Sequence, residues 1–468
     1  MPAEDVMKKF NPFLFAPNVR FTENTHLKVC RAKKDNKIYL EEGLTGTPHI
    51  QWEQRIDNGY PNVFYDSEFN EYRMYYSVFI RDDSHRETSL EDRKNTVYRE
   101  TGTRESAILL AVSKDGETWE RPNLGVCDYG GNKDNNILIR GAHGAGVFRD
   151  EHETDAERKY KMVIHNDRNH HMAVCFSADG IHWSDPCDWI GCDPAGDTHN
   201  YAWFDEKVGK YRVITRIWTD NQRIPALCES DDFLHWSDPC EVYRGDGIDD
   251  QLYSMPVFIK DGIYYGLGSF FHGGERNAED FDCVDLELLV SGNGKNWNRV
   301  ERNAPFIERG KGHYGNGEAD CGCIYSSVPS DNGDEYRFFY FGGNGQHTNF
   351  RETSLMCAKI HRDELAAYVS EKGKLARIIT PMRDMPKNEF CVRAKLHENG
   401  NIRVGVSEFF TIHKQPQYLN GFSPCECTLE EMSENVYRVK FKGDISTVCD
   451  KICLVFEFTD AEMFGFYE

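Results

Sequence analysis

Long apolar runs are missing from this chain. No stretch of its 468 residues approaches the ~20 apolar residues that a membrane span needs, so no membrane partner is expected. The opening "MPAEDVMKKFNPFLFAPN" carries charges on both sides of a short apolar patch and has no signal-peptide core, so a soluble cytoplasmic protein is expected. Positive charge is also scarce: 55 Lys and Arg face 77 Asp and Glu, a net charge of −22. Such a chain repels phosphate backbones and anionic surfaces. That argues against nucleic acid and favours a neutral or cationic ligand. The C-x-x-C spacing of zinc ribbons and redox motifs is absent despite 16 cysteines; Cys321-Gly-Cys323 and Cys425-Glu-Cys427 are the closest pairs. The cysteines are expected to be small buried apolar residues in a reducing compartment. Long helical patterns are nearly absent. The glycine-rich "GAHGAG" leads into a strand rather than a helix, so it is no nucleotide loop,.

One phrase recurs. "SKDGETWERP" starts at Ser113, "SADGIHWSDP" at Ser177, "SDDFLHWSDP" at Ser230 and "SGNGKNWNRV" at Ser291. A spacing of about 50–65 residues marks one repeated supersecondary unit. Hairpin patterns interleave with it, each an aromatic and β-branched run, a polar turn and a second such run: residues 62–79, 146–165, 201–218, 256–271 and 323–343. A third strand leads into each phrase. Four antiparallel strands repeated radially make propeller blades, so the expected fold is all-β: a five-bladed β-propeller over residues 51–365. The fifth unit has "TSLMCAKIHRD" as third strand and no tryptophan phrase. Its outer strand is expected from the N-terminal segment 1–50, at "HLKVCRAKKDNKIYL", closing the ring. Residues 366–468 alternate like a β-sandwich, with "HENGN" as a hairpin turn.

In a propeller, the starts of the inner strands and the loops between second and third strands open into the central pocket. Those positions hold Asp57 and Asn58, His143, Asp197 and His199, Asp249 and Asp250, Glu318 and Asp320; the loops add Arg81, His165, Asp167, Arg216, Trp218, His272 and His347. Carboxylates crowded around one axis can split into a protonated acid and an ionised partner, which glycosidic cleavage requires. By contrast Asp66, Asp150 and Asp205 follow the inner strands, at the far end, and read as turn residues; the Asp of each tryptophan phrase reads the same way. No cofactor is called for. An axial metal held by His143, His199, His272 and His347 is the lesser alternative to their binding sugar hydroxyls.

The segments "NVFYDSEFNEYRMYYS", "SKDGETWERPNLG", "NNILI", "ERKYKMVIHN", "SADGIHWSDP" and the closing "NIRVGV…GFS…AEMFGF" resemble the glycosyl-hydrolase-like five-bladed propeller proteins of gut and environmental bacteria. These are related in fold to glycoside hydrolase families 32, 43 and 68 and carry a C-terminal β-sandwich. The resemblance spans nearly the whole chain. It implies a catalytic Asp in the first blade, a second Asp that tunes charge, and a Glu as proton donor. Asp57 matches the first by position. The family's W-x-N-D-P-N-G and R-D-P signatures are absent, "DNGYPN" being a loose echo, and Glu318 takes the acid role by place alone.

The expectation is therefore a glycoside hydrolase acting in exo fashion on a terminal sugar of a short oligosaccharide. Asp57 would be base or nucleophile, Asp197 or Asp250 would orient the sugar and tune charge, and Glu318 would donate the proton. Asn58, Arg81, His143, His199, Arg216, His272, Asp320 and His347 are candidates for holding the sugar, and Trp218, Phe271 and Tyr253 for stacking on its faces. The alternatives are a glycoside phosphorylase and a non-catalytic sugar-binding propeller. A sialidase would need three convergent arginines, and at most two are found.

Overall fold

Residues 51–360 alternate apolar and polar side chains in short runs closed by Asp-Gly, Asn-Gly and Ser-Asp turns, so they form strands rather than helices. In the computed structural model, the described residues are 9–14, 16–42, 51–100, 102–386, 390–411, 415–448 and 451–468, and they are almost entirely β. Among them, no helix is long and apolar enough to cross a membrane. The chain divides into two compact units. One is Arg31–Phe258 with Tyr264–Ile360, and the other is Met1–Cys30 with Ile259–Ile263 and His361–Glu468.

The larger unit holds five antiparallel meanders. The first is Asn62–Asp66, Glu71–Asp82, Arg104–Ser113 and Ile137–Arg140; the second Ala142–Arg149, Tyr160–Asn166, His171–Ser177 and Cys187–Asp188; the third Tyr201–Asp205, Lys210–Thr219, Gln222–Ser230 and Cys240–Glu241. The fourth runs Gln251–Ser254, Ile263–Phe271, Val284–Ser291 and Asn298–Arg299. The fifth runs Cys323–Ser326, Glu335–Gly343 and Thr353–His361, and a single parallel pairing, Val284 with Cys323, joins the two. The outer edge of the fifth is taken by Lys33–Lys34 and Leu40–Glu41, from the start of the unit.

The recurring phrase is a hydrogen-bond bracket. Each copy begins at the last residue of a third strand. Ser177 Oγ accepts from Gly180 N–H at 2.9 Å, and Asp179 Oδ1 accepts from the N–H groups of Ile181 and His182 at 2.8 Å. Ser113 with Asp115, Ser230 with Asp232 and Ser291 with Asn293 make the same bonds. The fourth residue needs a left-handed backbone. Glycine supplies it three times, at Gly116, Gly180 and Gly294, but Phe233 holds φ +66°. A left-handed β-carbon is unfavourable. Here the ring is fully buried against Tyr211, Trp236 and Phe148, and that burial offsets the cost.

The tryptophans pack sheet on sheet. Trp119 of the first meander meets Phe339 of the fifth edge-on, with ring centroids 5.4 Å apart; Trp183 of the second meets Tyr75 of the first at 6.1 Å; Trp236 of the third stacks on Trp189 beyond the second at 4.6 Å. Trp297 of the fourth shares a core with Tyr201 and Trp203 of the third.

Asp66, Asp150 and Asp205 are turn residues with a second task. Oδ1 of each accepts a backbone N–H two residues on, from Glu68, His152 and Lys207. Oδ2 accepts a tyrosine O–H from the following meander: Tyr160 at 2.6 Å, Tyr211 at 2.7 Å and Tyr264 at 2.8 Å. Asp150 also meets Lys161 Nζ at 2.9 Å, both side chains fully buried. Tyr211→Phe therefore strands one lone pair of a buried carboxylate that keeps its cation. Urea unfolding should show a loss of about 1–2 kcal/mol.

In the smaller unit, the long strand Cys453–Tyr467 is the centre. It pairs with Cys391–Ser407, Ala376–Ile379, Ala366–Ser370 and Phe10–Pro12. Phe13, Phe390, Val404, Phe456 and Phe466 build its core. Thr25–Val29 pairs here, with Ala366–Ser370, so the segment expected to close the ring is divided between the two units. "HENGN" is not a hairpin turn. Leu396 pairs with Ala461 and Asn401 with Thr459, so the intervening residues bulge out of one continuous strand. Both flanking apolar runs find the same partner strand, and that pairing overrides the local turn signal. Several cysteines are core residues as expected: Cys357, Cys175, Cys228 and Cys323 each sit in an apolar cluster.

Candidate functional site

The turn "RIDNGYPN" before the first inner strand has an unusual backbone. Asp57, Gly59 and Tyr60 all have positive φ, at 58°, 68° and 46°. A β-carbon on Gly59 would lie 2.2 Å from the Phe341 ring, so only glycine fits. Left-handed Asp and Tyr in one tight turn persist only where surroundings hold them. Glu42 Oε2 accepts from Ile56 N–H at 2.6 Å, and Thr353 Oγ1 donates to the Asp57 carbonyl at 3.0 Å. Arg351 Nη2 donates to Asp57 Oδ1 at 2.8 Å and Asn58 Oδ1 at 2.6 Å, while Arg55 Nη2 lies 2.8 Å from Asp57 Oδ1. Both guanidinium groups are buried, and the Asp57 side chain keeps 24% of its exposure. Burial works against ionising Asp57, but Arg351 and Arg55 outweigh it and hold the carboxyl well below the usual carboxylate range.

Glu42, behind this turn, is a buried carboxyl of the opposite kind. Burial pushes it up to about 8 against the Ile56 hydrogen bond, and Glu352 adds to the rise. A raised folded-state pKa contributes stability that is complete below the ordinary glutamate range and is lost as pH rises toward 8. Glu42→Gln keeps an oxygen for Ile56 N–H and removes the ionisation. The wild-type protein should therefore lose on the order of 2–4 kcal/mol relative to Glu42→Gln between pH 4.5 and pH 8, measured by denaturant unfolding across that window.

Asp57 faces a cavity of about 580 Å³, walled also by Asn58, Tyr60, Tyr98, Glu100, Arg104, His143, Asp167, His170, Asp197, Tyr253 and His347. A second polar cluster lines the same cavity. His143 Nδ1 is 2.7 Å from Asp167 Oδ1, and His165 Nδ1 is 3.0 Å from the same oxygen. Ser106 Oγ donates to Asp167 Oδ2. Asp197 Oδ2 accepts from Arg216 at 2.5 Å, and Asp197 Oδ1 lies 3.4 Å from His143 Nε2. Burial opposes the charge on Asp167 and Asp197 too. His143 and His165 hold the first well below the usual range, and His143 with Arg216 holds the second there. Burial lowers His143, but the two carboxylates raise it further, to about 9. Among the described residues, one set could hold a metal ion: His143, His165 and Asp167, with ligand atoms all within 4.8 Å of one another.

Of the residues singled out in the sequence, Asp57, Asn58, His143, Asp167, Asp197, Tyr253 and His347 share this cavity, Arg216 supports it through Asp197 and His165 through Asp167. The others lie outside its wall. Asp250 is bonded by Arg302 at 2.9 Å and by Arg299. Glu318 is exposed and accepts from Lys311 N–H at 3.1 Å. Asp320 is buried between Lys34 at 2.9 Å and Tyr340 at 2.8 Å. Buried His199 bonds Asn62 at 3.0 Å, and burial pushes it down to about 3. His272 bonds Asp285 at 2.9 Å. Arg81 is exposed and pairs with Asp83 at 3.1 Å. Trp218 is half-exposed, with Arg216 and Arg223 over its ring. His347 Nδ1 lies 2.9 Å from the Tyr325 hydroxyl, so His143, His199, His272 and His347 each meet different partners.

The residues not foreseen come mostly from one insertion. Between Glu71–Asp82 and Arg104–Ser113 the chain makes two short helices, Asp83–Glu87 and Leu90–Arg93, capped by Asp82 and Ser89. The insertion then brings Tyr98, Glu100 and Arg104 to the cavity, with Arg104 and Glu100 paired at 2.9 Å. The signal was there: loops this long inside a meander are uncommon and are often functional.

No family model matches the chain, and no curated protein matches it. Solved structures do. An N-acetylgalactosamine deacetylase from F. plautii, in complex with blood group B trisaccharide, is 15% identical with a TM-score of 0.47 over 72% of this chain and 96% of its own. A glycosyl hydrolase from Bacteroides ovatus is 13% identical with a TM-score of 0.44 over 74% and 97%. The α-L-arabinofuranosidase PaAbf62A from Podospora anserina, in complex with cellotriose, is 11% identical with a TM-score of 0.42 over 69% and 95%.

Proposed function

We propose that the chain is a glycoside hydrolase, exo-acting on a terminal sugar, with Asp57 as base or nucleophile. The observation that carries this is the Asp57 turn: a carboxylate in a left-handed backbone, held ionised by two buried arginines, at the wall of a cavity the size of small-ligand sites. An ionised carboxylate can activate water or attack an anomeric carbon, and cannot be the proton donor in that state. Glu100 is the glutamate in the cavity wall, and the donor role that position alone suggested for Glu318 falls to it once substrate opens its pair with Arg104. Tyr253 and Tyr60 offer aromatic surface, and Asn58 and His347 offer hydrogen bonds. The larger unit is read as a five-bladed propeller, supported by the five meanders and by tryptophans that pack each of the first four onto a neighbour. The smaller unit is read as a β-sandwich.

Phosphorolysis is the second reading, favoured by Arg55 and Arg104 beside Asp57 in the wall. The test is a panel of aryl glycosides and short oligosaccharides, assayed with and without inorganic phosphate. Phosphate-independent release of sugar supports hydrolysis. Formation of a sugar 1-phosphate only when phosphate is present supports the second reading. Sugar binding with no turnover in either condition would leave a binding module instead.

A further inference from the structure

We infer that His143, His165 and Asp167 bind one divalent transition-metal ion, such as zinc, on the wall of the cavity. His143 and His165 are cross-strand partners, on Ala142–Arg149 and Tyr160–Asn166. Their rings therefore stand on the same side of the sheet, with centroids 4.8 Å apart. A register shift between His143 and Gly146 interrupts the ladder beside them, the kind of bulge that re-aims a side chain. Asp167 follows two residues after His165 and turns its carboxylate back over both rings.

The result is a convergent set of donor atoms. Asp167 Oδ1 lies 2.7 Å from one imidazole Nδ1 and 3.0 Å from the other. Zinc bonds of ~2.0–2.2 Å place neighbouring ligand atoms ~3 Å apart, close to the separation two of the three pairs already have, and all three atoms lie within 4.8 Å of one another. Two imidazoles and one carboxylate suit zinc and its first-row neighbours rather than calcium or magnesium. Three protein ligands leave a position for water or substrate, and His143 and Asp167 both border the cavity.

The surroundings are those of a metal site. Ser106 holds Asp167 Oδ2, which leaves Oδ1 for the ion. His143 Nε2 is a buried polar atom with no hydrogen-bond partner, and Asp197 Oδ1 stands 3.4 Å from it. When Nδ1 is bound to a metal, Nε2 carries the proton and points it at that carboxylate, the arrangement that orients metal-bound histidines. Without an ion, both Nδ1 atoms crowd one oxygen, and Nε2 faces Asp197 Oδ1 at 3.4 Å without a well-formed hydrogen bond.

The inference stands apart from the glycosidase reading, and its test needs no substrate. Full-length protein is stripped with chelator, dialysed against Co²⁺ and analysed for bound metal and visible absorption. One equivalent is expected, with ligand-field bands and no thiolate charge-transfer band. His165→Gln and Asp167→Asn, made separately and checked for folding by circular dichroism, should each weaken binding by about 100-fold or more. Asp197→Asn should weaken it by about 10-fold. Competition with Zn²⁺ should displace the cobalt. Failure of the wild-type protein to take up Co²⁺ or Zn²⁺ at micromolar concentration overturns the site. So does binding that survives both ligand variants, or a thiolate band, which would put the ion on cysteine.

Discussion

Asp57→Asn is expected to lower kcat/KM on a responsive aryl glycoside by about 10³-fold or more and to leave sugar binding largely intact. The amide keeps the shape and one acceptor oxygen but cannot take a proton or attack carbon. The variant should be less stable, because buried Arg351 loses its carboxylate, but it should still fold, because Arg351 retains Asn58, Gln346 O and His347 O, and Arg55 still lies 3.6 Å from Asp82. Glu100→Gln is the companion. A proton donor matters most when the leaving group is poor, so this variant should lose far more activity on alkyl glycosides and oligosaccharides than on nitrophenyl glycosides. Equal loss on both would remove Glu100 from the donor role, and unchanged turnover in Asp57→Asn would remove Asp57 from the mechanism.

The second large effect is on stability. The Arg351 side chain is fully buried and ties Asp57 and Asn58 to the carbonyls of Gln346 and His347. Arg351→Met keeps much of its bulk and deletes these bonds, leaving a mostly buried carboxylate with Arg55 alone. Breaking a buried pair from one side costs about 3–5 kcal/mol, read as a shift in denaturant midpoint. The pH dependence identifies the cause. Asp57 is depressed in the folded state, so its contribution is complete above ~pH 4, the ordinary aspartate range, and declines as pH falls. The gap between wild type and Arg351→Met should therefore be widest at neutral pH and shrink in acid. A gap independent of pH would mean that packing, not charge, is what Arg351 supplies.

How much of this was legible differs between scaffold and site. The repeated phrase could be read because each letter has a physical job: Ser177 caps, Asp179 collects two backbone N–H groups, Gly180 turns left-handed and Trp183 packs on Tyr75 of the neighbouring meander. Phe233 shows the limit of such a pattern, since a buried ring stands where the other copies have glycine. For the site, a geometric rule (starts of inner strands and the loops beside them) gathered Asp57, His143, Asp197 and His347 around one cavity. It could not foresee that Asp250 is taken by Arg299 and Arg302, about 50 residues downstream, or that the glycine-rich loop around Glu318 turns that side chain to solvent. Nor could it place Tyr98 and Glu100, because no periodicity says where the insertion between Asp82 and Arg104 will lay its far end.

The outer edge of the fifth meander comes from Lys33–Lys34 and Leu40–Glu41, and Lys34 meets buried Asp320 across 286 positions of chain. Contacts so distant in sequence cannot form until most of the polypeptide has left the ribosome. The first four meanders close on local hairpins and can assemble as they emerge. The early edge strands must wait, unpaired, for Thr353–His361 to arrive. The seam between these early strands and Thr353–His361 is thus a late step in assembling the larger unit, and an arrested chain would expose a free strand edge there.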